Sequence, residues 1–532
     1  MQQVELVERT VPARTPNRLR VFVVVAAILV VVLEAIAIGF ARKWPFSREA
    51  ITAALQQESG RNVRIENFRR TYFPHPGAVA DGVTFLSREG PGKPPPITVQ
   101  KLTVEGNYLG LLAHHLNLVR AEGLRVLVPP FDERSSTTSF LANNTTLSIG
   151  KFVADGAEID FASSHAGEPP LGFRMPKLAL SSISPNRPVS FQSTVLVPLP
   201  PATVDVSGKV GPVKTGSISQ TPLSGTYTVK EADLGVFGGI AGKLSGKGKF
   251  DGVLQHINTS GDTDTPDFMV TRSGHKVHVN AHYQAVVNGL NGDVALQPVT
   301  ANFGKTTIVA QGKIEGESAA SNQGKTVSLT FYANRARIQD LLRLFAKEDP
   351  PSMMGPIVFR GQVRVPPEDR PFLKRVRLQG DFGISGAQYT NPKTQKDVDV
   401  ASAKARGEAE KVEDKNDKDH NDNYDPGKVL TNLKGHVVMQ DAVANLSNLS
   451  FDVPGASAHA AGTYNILTQH VDMQGTVDLQ TTLSKATTGA KSVLLKIMQP
   501  LMRDRKGHGS VVNLKVTGTY HNPNFSITPA TK

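Results

Sequence analysis

Three histidines near the middle of the chain are the side chains most suggestive of a metal site. His275, His278 and His282 fall within one short alternating segment. On a β-strand His278 and His282 share a face but lie about 13 Å apart, because each residue advances the chain by about 3.3 Å, and His275 points to the opposite face. Zinc ligands must converge at about 2 Å on one ion. We therefore predict no metal site at these histidines.

Two other segments match ion- or phosphate-binding loops only in part. The segment from Asp417 begins like a calcium loop, but Asp422 occupies the position that needs glycine and Lys428 the position that needs glutamate. Ala319–Thr326 fits the loosest form of a phosphate-binding loop, yet a strand-like run follows where a helix is required. We predict a solvated charged loop at the first segment and a hairpin turn at the second.

The sequence contains no motif of a known catalytic site. It has no cysteine, which excludes disulfides, thiol catalysis and cysteine-based metal sites. It also has no G-x-S-x-G, H-E-x-x-H or paired-carboxylate arrangement. We therefore predict that the protein is not an enzyme, with no catalytic residue, no metal and no cofactor.

The net charge of +12 suggests an anionic partner. Much of the positive charge lies in the N-terminal flank and in the last fifty residues. No Lys/Arg cluster is interleaved with aromatic residues, as nucleic-acid binding would require, so no nucleic acid is expected as a partner. A membrane accounts better for this distribution of charge.

Apolar and polar residues alternate over most of the chain, and most clearly from Lys276 to Gln311. A period of two is typical of strands with one dry and one wet face. The sequence therefore predicts a mainly β protein with one long β structure. The residues expected on its dry face are Val277, Val279, Ala281, Tyr283, Val471, Met473, Val477 and Leu479. Packing of this face against a second sheet, as a closed core, is the alternative.

A short phrase recurs from Gly208 onward: glycine, any residue, then a β-branched or aromatic residue, as in Gly225-Thr-Tyr and Gly248-Lys-Phe. The spacing is irregular, which argues against a fixed-period solenoid. We predict a meander or rolled sheet in which the glycines permit bends or bulges.

After residue 45 the chain is predicted to contain few helices, at Ser47–Ser59 and Arg335–Ala346. The predicted regions are an N-terminal β region at 45–200 that starts with a short helix, a middle β region at 201–392, a charged disordered loop at 393–428, and a C-terminal β region with an amphipathic helix at 429–532. In that last helix an apolar face lies beside Lys485, Lys491, Lys496, Arg503, Arg505 and Lys506. These six cations either contact a membrane surface or lipid headgroups, or cap the end of the sheet as solvated charges.

Residues 21–40 are almost entirely apolar, interrupted only by Glu34. Twenty helical residues span about 30 Å, the thickness of a bilayer core, so we predict a transmembrane helix preceded by a cytoplasmic tail at 1–20. A signal peptide cleaved near Ala35–Ala37 is one alternative, and a buried core helix is another. Each of the first two interpretations sends the rest of the chain across the membrane.

Several phrases of the sequence resemble one known family. They include ITVQKLTVEGNYLGLLAHHLNLVRAEGLRVLV, GKLSGKGKFDG and GTYHNPNF, together with the helix-then-strand start. These phrases are similar to those of AsmA-like proteins of Gram-negative envelopes. The resemblance covers about residues 10–125 and 225–532. It implies a long, twisted, elongated sheet of about 25–30 strands, folded lengthwise around a hydrophobic groove. The chain would be anchored in the inner membrane, with its bulk in the periplasm.

The resemblance also implies a function in moving or balancing lipids for the outer membrane. Acyl chains would contact the dry face, and the partners would be membrane lipids, the inner membrane through residues 21–40, and other envelope proteins. The alternative is a scaffold or assembly factor whose sheet edges pair with outer-membrane protein precursors by strand addition.

Overall fold

The computed structural model describes residues 47–59, 61–71, 75–87, 95–107, 115–128, 148–161, 171–184, 186–198, 200–212, 218–290, 292–316, 325–368, 370–406, 429–480, 510–519 and 522–529. Several predicted segments lie outside these residues: the cytoplasmic tail at 1–20, the transmembrane helix at 21–40, most of the hairpin turn at 319–326, the charged segment from Asp417 and the basic helix around 485–506.

The described part of the chain is mainly β, as predicted, and its strands form one long sheet of 26 strands. The strands are β1 Val63–Thr71, β2 Gly77–Phe85, β3 Ile97–Gly106, β4 His115–Glu122, β5 Arg125–Val128, β6 Ser148–Phe161, β7 Leu171–Ile183, β8 Val189–Pro198, β9 Pro201–Val210, β10 Pro222–Asp233, β11 Ile240–Ala241, β12 Lys243–Val253, β13 His256–Val270, β14 Lys276–Val287, β15 Val294–Phe303, β16 Thr306–Glu315, β17 Thr326–Arg337, β18 Met353–Met354, β19 Pro356–Val365, β20 Arg377–Tyr389, β21 Thr431–Gln440, β22 Val443–Val453, β23 Ala456–Asn465, β24 His470–Leu479, β25 Ser510–Thr519 and β26 Asn522–Pro529. The helices are α1 Arg48–Ser59, α2 Ile338–Phe345, α3 Phe372–Arg375 and α4 Pro392–Ala405, and two 3₁₀ turns cover Ile218–Gln220 and Leu234–Phe237.

The sheet is a meander in which nearly every strand pairs antiparallel with its neighbours in the chain. The exception is β6, which pairs in parallel with both β4 and β5. Those two strands share one position because Gly123, with φ +63°, breaks the chain between them. Strands β11 and β18 have only two residues each and add no separate position to the sheet. The other strands occupy about 23 positions, and a spacing of about 4.8 Å between neighbouring strands gives a sheet about 105 Å long.

The two faces of the sheet differ along its whole length. We call the side that carries Phe250, Val279, Phe303 and Phe359 the inner face. In a directly opposed antiparallel pair both side chains share a face, and Val279 pairs with Phe303 and Ala333 with Phe359. Apolar residues therefore follow one another across the strands on this face, while polar residues occupy the outer face.

The inner face of the N-terminal strands is a closed hydrophobic core. Helix α1 packs Ile51 and Leu55 onto it, one turn apart on the same helix face. The nine largest fully buried side chains all lie between α1 and β7: Leu55, Leu102, Leu116, Leu124, Ile149, Phe152, Ile159, Phe173 and Met175. Hydrophobic burial on this scale makes this half the main source of stability.

Pairs of glycines face each other across neighbouring strands on the inner face. Gly208 pairs with Gly225, Gly248 with Gly261, and Gly361 with Gly380. A Cβ atom added at Gly361 would lie 2.6 Å from the carbonyl oxygen of Gln379. The repeated glycine phrase thus marks places where the sheet bends so tightly toward its inner face that no side chain fits.

Helices α2 and α4 differ from the prediction, the first in its length and the second in being ordered. The predicted helix at Arg335–Ala346 is shorter, because β17 continues to Arg337, and its last residue, Phe345, is 63 % exposed. The predicted disordered loop at 393–428 is wrong for its first part, which is helix α4. Residues 407–428 lie outside the described part of the chain.

Long-range contacts explain the order of α4. The buried Asp399 carboxylate accepts hydrogen bonds from Gln395 Nε2 at 2.7 Å and from the backbone N–H of Val429 at 2.8 Å. Ser402 donates to the carbonyl of Pro454 at 2.5 Å. These contacts with distant strand ends supply the burial that the local composition lacks.

Candidate functional site

Strand β14 carries four of the residues predicted for the dry face. The structure places Val277, Val279, Ala281 and Tyr283 on the inner face, each half-buried, with exposed residues between them. Their inward direction follows from the alternation of the strand. Half-burial means that these side chains lack the full covering that a closed core provides.

Strand β24 carries the other four predicted residues. Val471, Met473, Val477 and Leu479 are also half-buried on the inner face. Met473 lies between Gly462 of β23 and Val516 of β25. Both predicted sets therefore belong to the same face, although they lie ten strands apart in the chain order.

The inner face remains apolar and half-exposed between these two strands. The half-buried residues in this stretch include Leu296, Val299, Ile308, Leu329, Phe331, Val363, Leu378, Phe382, Val437, Leu446 and Phe451. A second buried cluster interrupts the stretch beneath α2, where Ile338 packs with Ala333, Ala336, Ile357 and Ile384. Leu341 and Leu342 of the same helix pack against the cluster, so α2 covers one edge of the inner face.

A small polar network lies where the closed core meets the half-exposed stretch. The hydroxyl of Tyr227 bonds to that of Tyr283 and lies 2.9 Å from Thr259 Oγ1. Thr259 in turn donates to the carbonyl of Lys249 at 3.1 Å. Burial raises the pKa of Tyr283, with a further contribution from Tyr227, so the Tyr283 hydroxyl is neutral at physiological pH.

One contact joins opposite edges of the sheet. Arg272, in the turn between β13 and β14, donates from its guanidinium to the carbonyl of Ile466, in the turn between β23 and β24, at 2.6 Å. In a flat sheet these turns would lie on opposite edges and about nine strand positions, or about 43 Å, apart. The contact therefore shows that the sheet is rolled and not flat. His275, in the same turn, lies with Nε2 3.2 Å from the carbonyl oxygen of Lys347.

The three histidines of the sequence analysis do not converge. His278 Nε2 lies 2.5 Å from Asp264 and His282 Nδ1 lies 2.9 Å from Asp262, both on the outer face. Within the described residues no group of three or more His, Asp or Glu side chains is arranged to hold a metal ion. The histidines instead contribute to a polar outer surface.

Charged pairs cover the outer face elsewhere. The hydrogen bond from His436, with help from Arg360, lowers the pKa of Asp381, and hydrogen bonds from Lys230 and Thr194 lower the pKa of Asp205. These carboxylates are therefore ionised throughout the physiological range. One face of the sheet is thus charged and hydrated, and the other is apolar.

The sequence did not single out three features of this site. Tyr227 falls in the repeated phrase, but its bond to Tyr283 depends on the register of two intervening strands, β12 and β13. Thr259 shares an alternating strand with many other polar residues. The contact of Arg272 depends on how the whole sheet rolls, for which no local signal exists.

No helix among the described residues is long and apolar enough to cross a membrane. The candidate headgroup contacts at Lys485, Lys491, Lys496, Arg503, Arg505 and Lys506 lie outside those residues. Comparison with known proteins found no family model that matches the chain and no curated protein that matches it in sequence.

Proposed function

We propose that the protein handles lipids, holding their acyl chains in a groove formed by the inner face of β14–β25. In this role it contributes to phospholipid transport or outer-membrane biogenesis. The observation that carries the proposal is the contrast between a half-exposed apolar inner face and a charged outer face over the same strands. An exposed apolar strip of this length is a binding surface rather than ordinary protein surface.

The energetics suit acyl chains. Each CH₂ group transferred from water to an apolar surface contributes about 0.8 kcal/mol, so a chain of many carbons binds without any directed polar contact. The headgroup remains at the hydrated edge of the sheet. No bond is made or broken, so no catalytic residue is required.

The membrane anchor and the cellular location form part of the same proposal. Residues 21–40 would hold the chain in the inner membrane, with the sheet in the periplasm, and the basic residues around 485–506 would contact anionic headgroups. Support comes from the apolar run in the sequence and from the resemblance to AsmA-like proteins. Extraction of cell membranes with alkaline carbonate tests the anchor, since a chain released by that treatment is not anchored by a helix.

Val279→Asp tests the groove. A carboxylate at this half-buried position would lack a partner, and an unpaired charge on an apolar surface costs several kcal/mol. We expect at least about a tenfold loss of phospholipid per chain, a change of about 1.4 kcal/mol. The measurement is native mass spectrometry of the full-length chain after gentle purification, with lipid extraction as a second readout.

Asn280→Asp is the matched control, because Asn280 is the next residue on the same strand and faces outward. It should keep its lipid. Loss of lipid in both variants would show a non-specific effect of charge. Unfolding of Val279→Asp by circular dichroism, with Asn280→Asp folded, would mean that this face is a closed core and would refute the groove.

The scaffold alternative depends on a free sheet edge. Among the described residues β26 pairs only with β25, so one of its edges is open. Two of its residues, Pro523 and Pro529, have no N–H to donate, and proline on an edge strand hinders the addition of another strand. The edge therefore supports strand addition less well than the inner face supports lipid binding.

A further inference from the structure

The inner face changes character along the sheet. In α1–β9 it is filled by side chains such as Phe152 and Ile159, which are fully buried. In β15–β25 apolar residues of similar size, such as Phe331 and Leu446, are half-exposed. Room for a ligand therefore exists on only one side of a boundary between these two parts.

Aromatic rings occupy that boundary. Tyr227 of β10 and Phe250 of β12 stack with their centroids 6.3 Å apart and an interplanar angle of 30°. Each ring lies above a glycine of the neighbouring strand. A Cβ at Gly248 would lie 2.6 Å from the Tyr227 hydroxyl oxygen, and one at Gly225 would lie 2.7 Å from Phe250 Cζ. The rings thus fill the space that the missing side chains leave.

Tyr283 extends this wall to β14, with its hydroxyl above Gly261. The protons of the network can be assigned in order. Thr259 gives its proton to the carbonyl of Lys249, so Tyr227 must donate to Thr259, and Tyr283 must then donate to Tyr227. Every hydroxyl proton is used within the protein. The wall offers no spare donor to a phosphate, and its rings suit the end of an acyl chain.

We infer that Tyr227, Phe250 and Tyr283 form the closed end of the groove. Bound acyl chains lie on β14–β25 and do not extend along the sheet toward α1. This inference rests on the proposed function and limits it. A lipid cannot slide lengthwise through the N-terminal strands, so it enters and leaves the groove across its open side or from the β26 end.

A photoreactive lipid tests the closed end without altering the protein. The probe is a phosphatidylcholine with a diazirine at the tip of one acyl chain, added in vesicles to the full-length chain and activated by light. Mass spectrometry of the digested protein locates the crosslinks. We expect peptides of β14–β25 to carry at least about tenfold more crosslinks than peptides of β2–β9, equivalent to about 1.4 kcal/mol.

Tyr227→Ala should then move the closed end. Removal of the ring opens space toward β9 and β10, so crosslinks should spread to the peptides that contain Val206 and Val229. Tyr332→Ala is the control, because Tyr332 is a tyrosine of the outer face that is 46 % exposed, and its map should match that of the native chain.

The outcomes separate the two proposals. Equal crosslinking of β2–β9 and β14–β25 in the native chain would overturn the closed end and leave lipid binding intact. Absence of crosslinks throughout the native chain would overturn lipid binding and the closed end together. If Tyr227→Ala fails to fold, the crosslink map of the native chain still shows whether the groove is closed at this end.

Discussion

At the scale of single residues, the hydroxyls of Tyr283, Tyr227 and Thr259 are polar groups on an otherwise apolar face. A buried hydroxyl without a partner costs about 1–3 kcal/mol. Here each hydroxyl donates to the next, and the last donates to a backbone carbonyl. The network is therefore compatible with an apolar neighbour, but only while the tyrosines keep their protons.

This requirement makes Tyr283 sensitive to alkaline pH. An unfolded tyrosine has a pKa of about 10, and burial raises the pKa of Tyr283 above that value. The folded chain therefore retains a proton that the unfolded chain releases, and the resulting stability is complete below about pH 10 and lost as the pH rises further. We predict that Tyr283→Phe is about 1 kcal/mol less stable at neutral pH, because one hydrogen bond is lost. Between about pH 9 and about pH 11 its free energy of unfolding should fall less steeply than that of the native chain.

Urea unfolding across this pH range measures both effects. Tyr332→Phe is the control, since loss of its exposed hydroxyl should change neither the free energy of unfolding at neutral pH nor its dependence on pH. A native pH dependence in Tyr283→Phe would show that this tyrosine titrates normally in the folded chain.

The residues that face inward could be predicted from the sequence because the alternation of apolar and polar residues is visible within a single strand. Val277, Val279 and Ala281 follow from a period of two, whatever their partners are. Tyr227 was not accessible, since its role depends on the register of the strands that separate it from Tyr283.

At the scale of elements, the glycine pairs determine where strands can bend. Gly380 and Gly383 lie on the same strand, β20, in different surroundings. A Cβ at Gly380 would lie 2.6 Å from the carbonyl oxygen of Arg360, whereas one at Gly383 would lie 3.6 Å from a Val358 methyl carbon. Only the first is a clash, so the two positions form a matched pair.

We predict that Gly380→Ala destabilises the protein by about 1–3 kcal/mol, the usual cost of overpacking. Gly383→Ala should change the free energy of unfolding by less than about 1 kcal/mol, with either sign, because an ordinary contact is added and the unfolded chain loses freedom. Thermal or urea unfolding of the two variants measures the difference. Equal effects would mean that the tight bend at Gly380 is not required for the fold.

Elements with local signals were predicted well, and those defined by distant partners were not. The strands and the start of α1 follow from alternation and from Ser47, whose carbonyl accepts the first helical hydrogen bond, from Ile51. Helix α4 was predicted as disorder because its order comes from Val429 and Pro454, which are distant in sequence. The parallel pairing of β6 with β4 and β5 follows residues 129–147, which carry no periodic signal.

At the scale of the whole molecule, one sheet contains both a closed core and a half-exposed apolar surface, the two alternatives that the sequence left open. The inner face is a closed core in α1–β9 and a half-exposed surface in β14–β25. The same alternation of apolar residues of similar size underlies both parts. Periodicity alone therefore cannot distinguish a core from a groove.

The contact between Arg272 and the carbonyl of Ile466 bears on access to the proposed groove. It joins opposite edges of the rolled sheet at 2.6 Å, and a hydrogen bond from a charged donor contributes about 1.5–3 kcal/mol. We predict that Arg272→Ala loosens this closure and speeds the exchange of fluorescent phospholipid between the protein and vesicles by about threefold to tenfold, which corresponds to about 0.6–1.4 kcal/mol. Arg335→Ala, at an exposed arginine of β17, should leave the exchange rate unchanged.

Linking the two turns covalently should have the opposite effect. The chain has no cysteine, so Arg272→Cys combined with Leu467→Cys provides two unique thiols. A short bifunctional thiol reagent can join the two thiols without requiring the Cα atoms to lie within about 7 Å of each other, as a direct disulfide would. Exchange should slow after linking and recover when a cleavable reagent is cut. If linking, cutting and Arg272→Ala all leave the rate at its native value, lipids enter the groove elsewhere, and the open end at β26 becomes the entrance to examine.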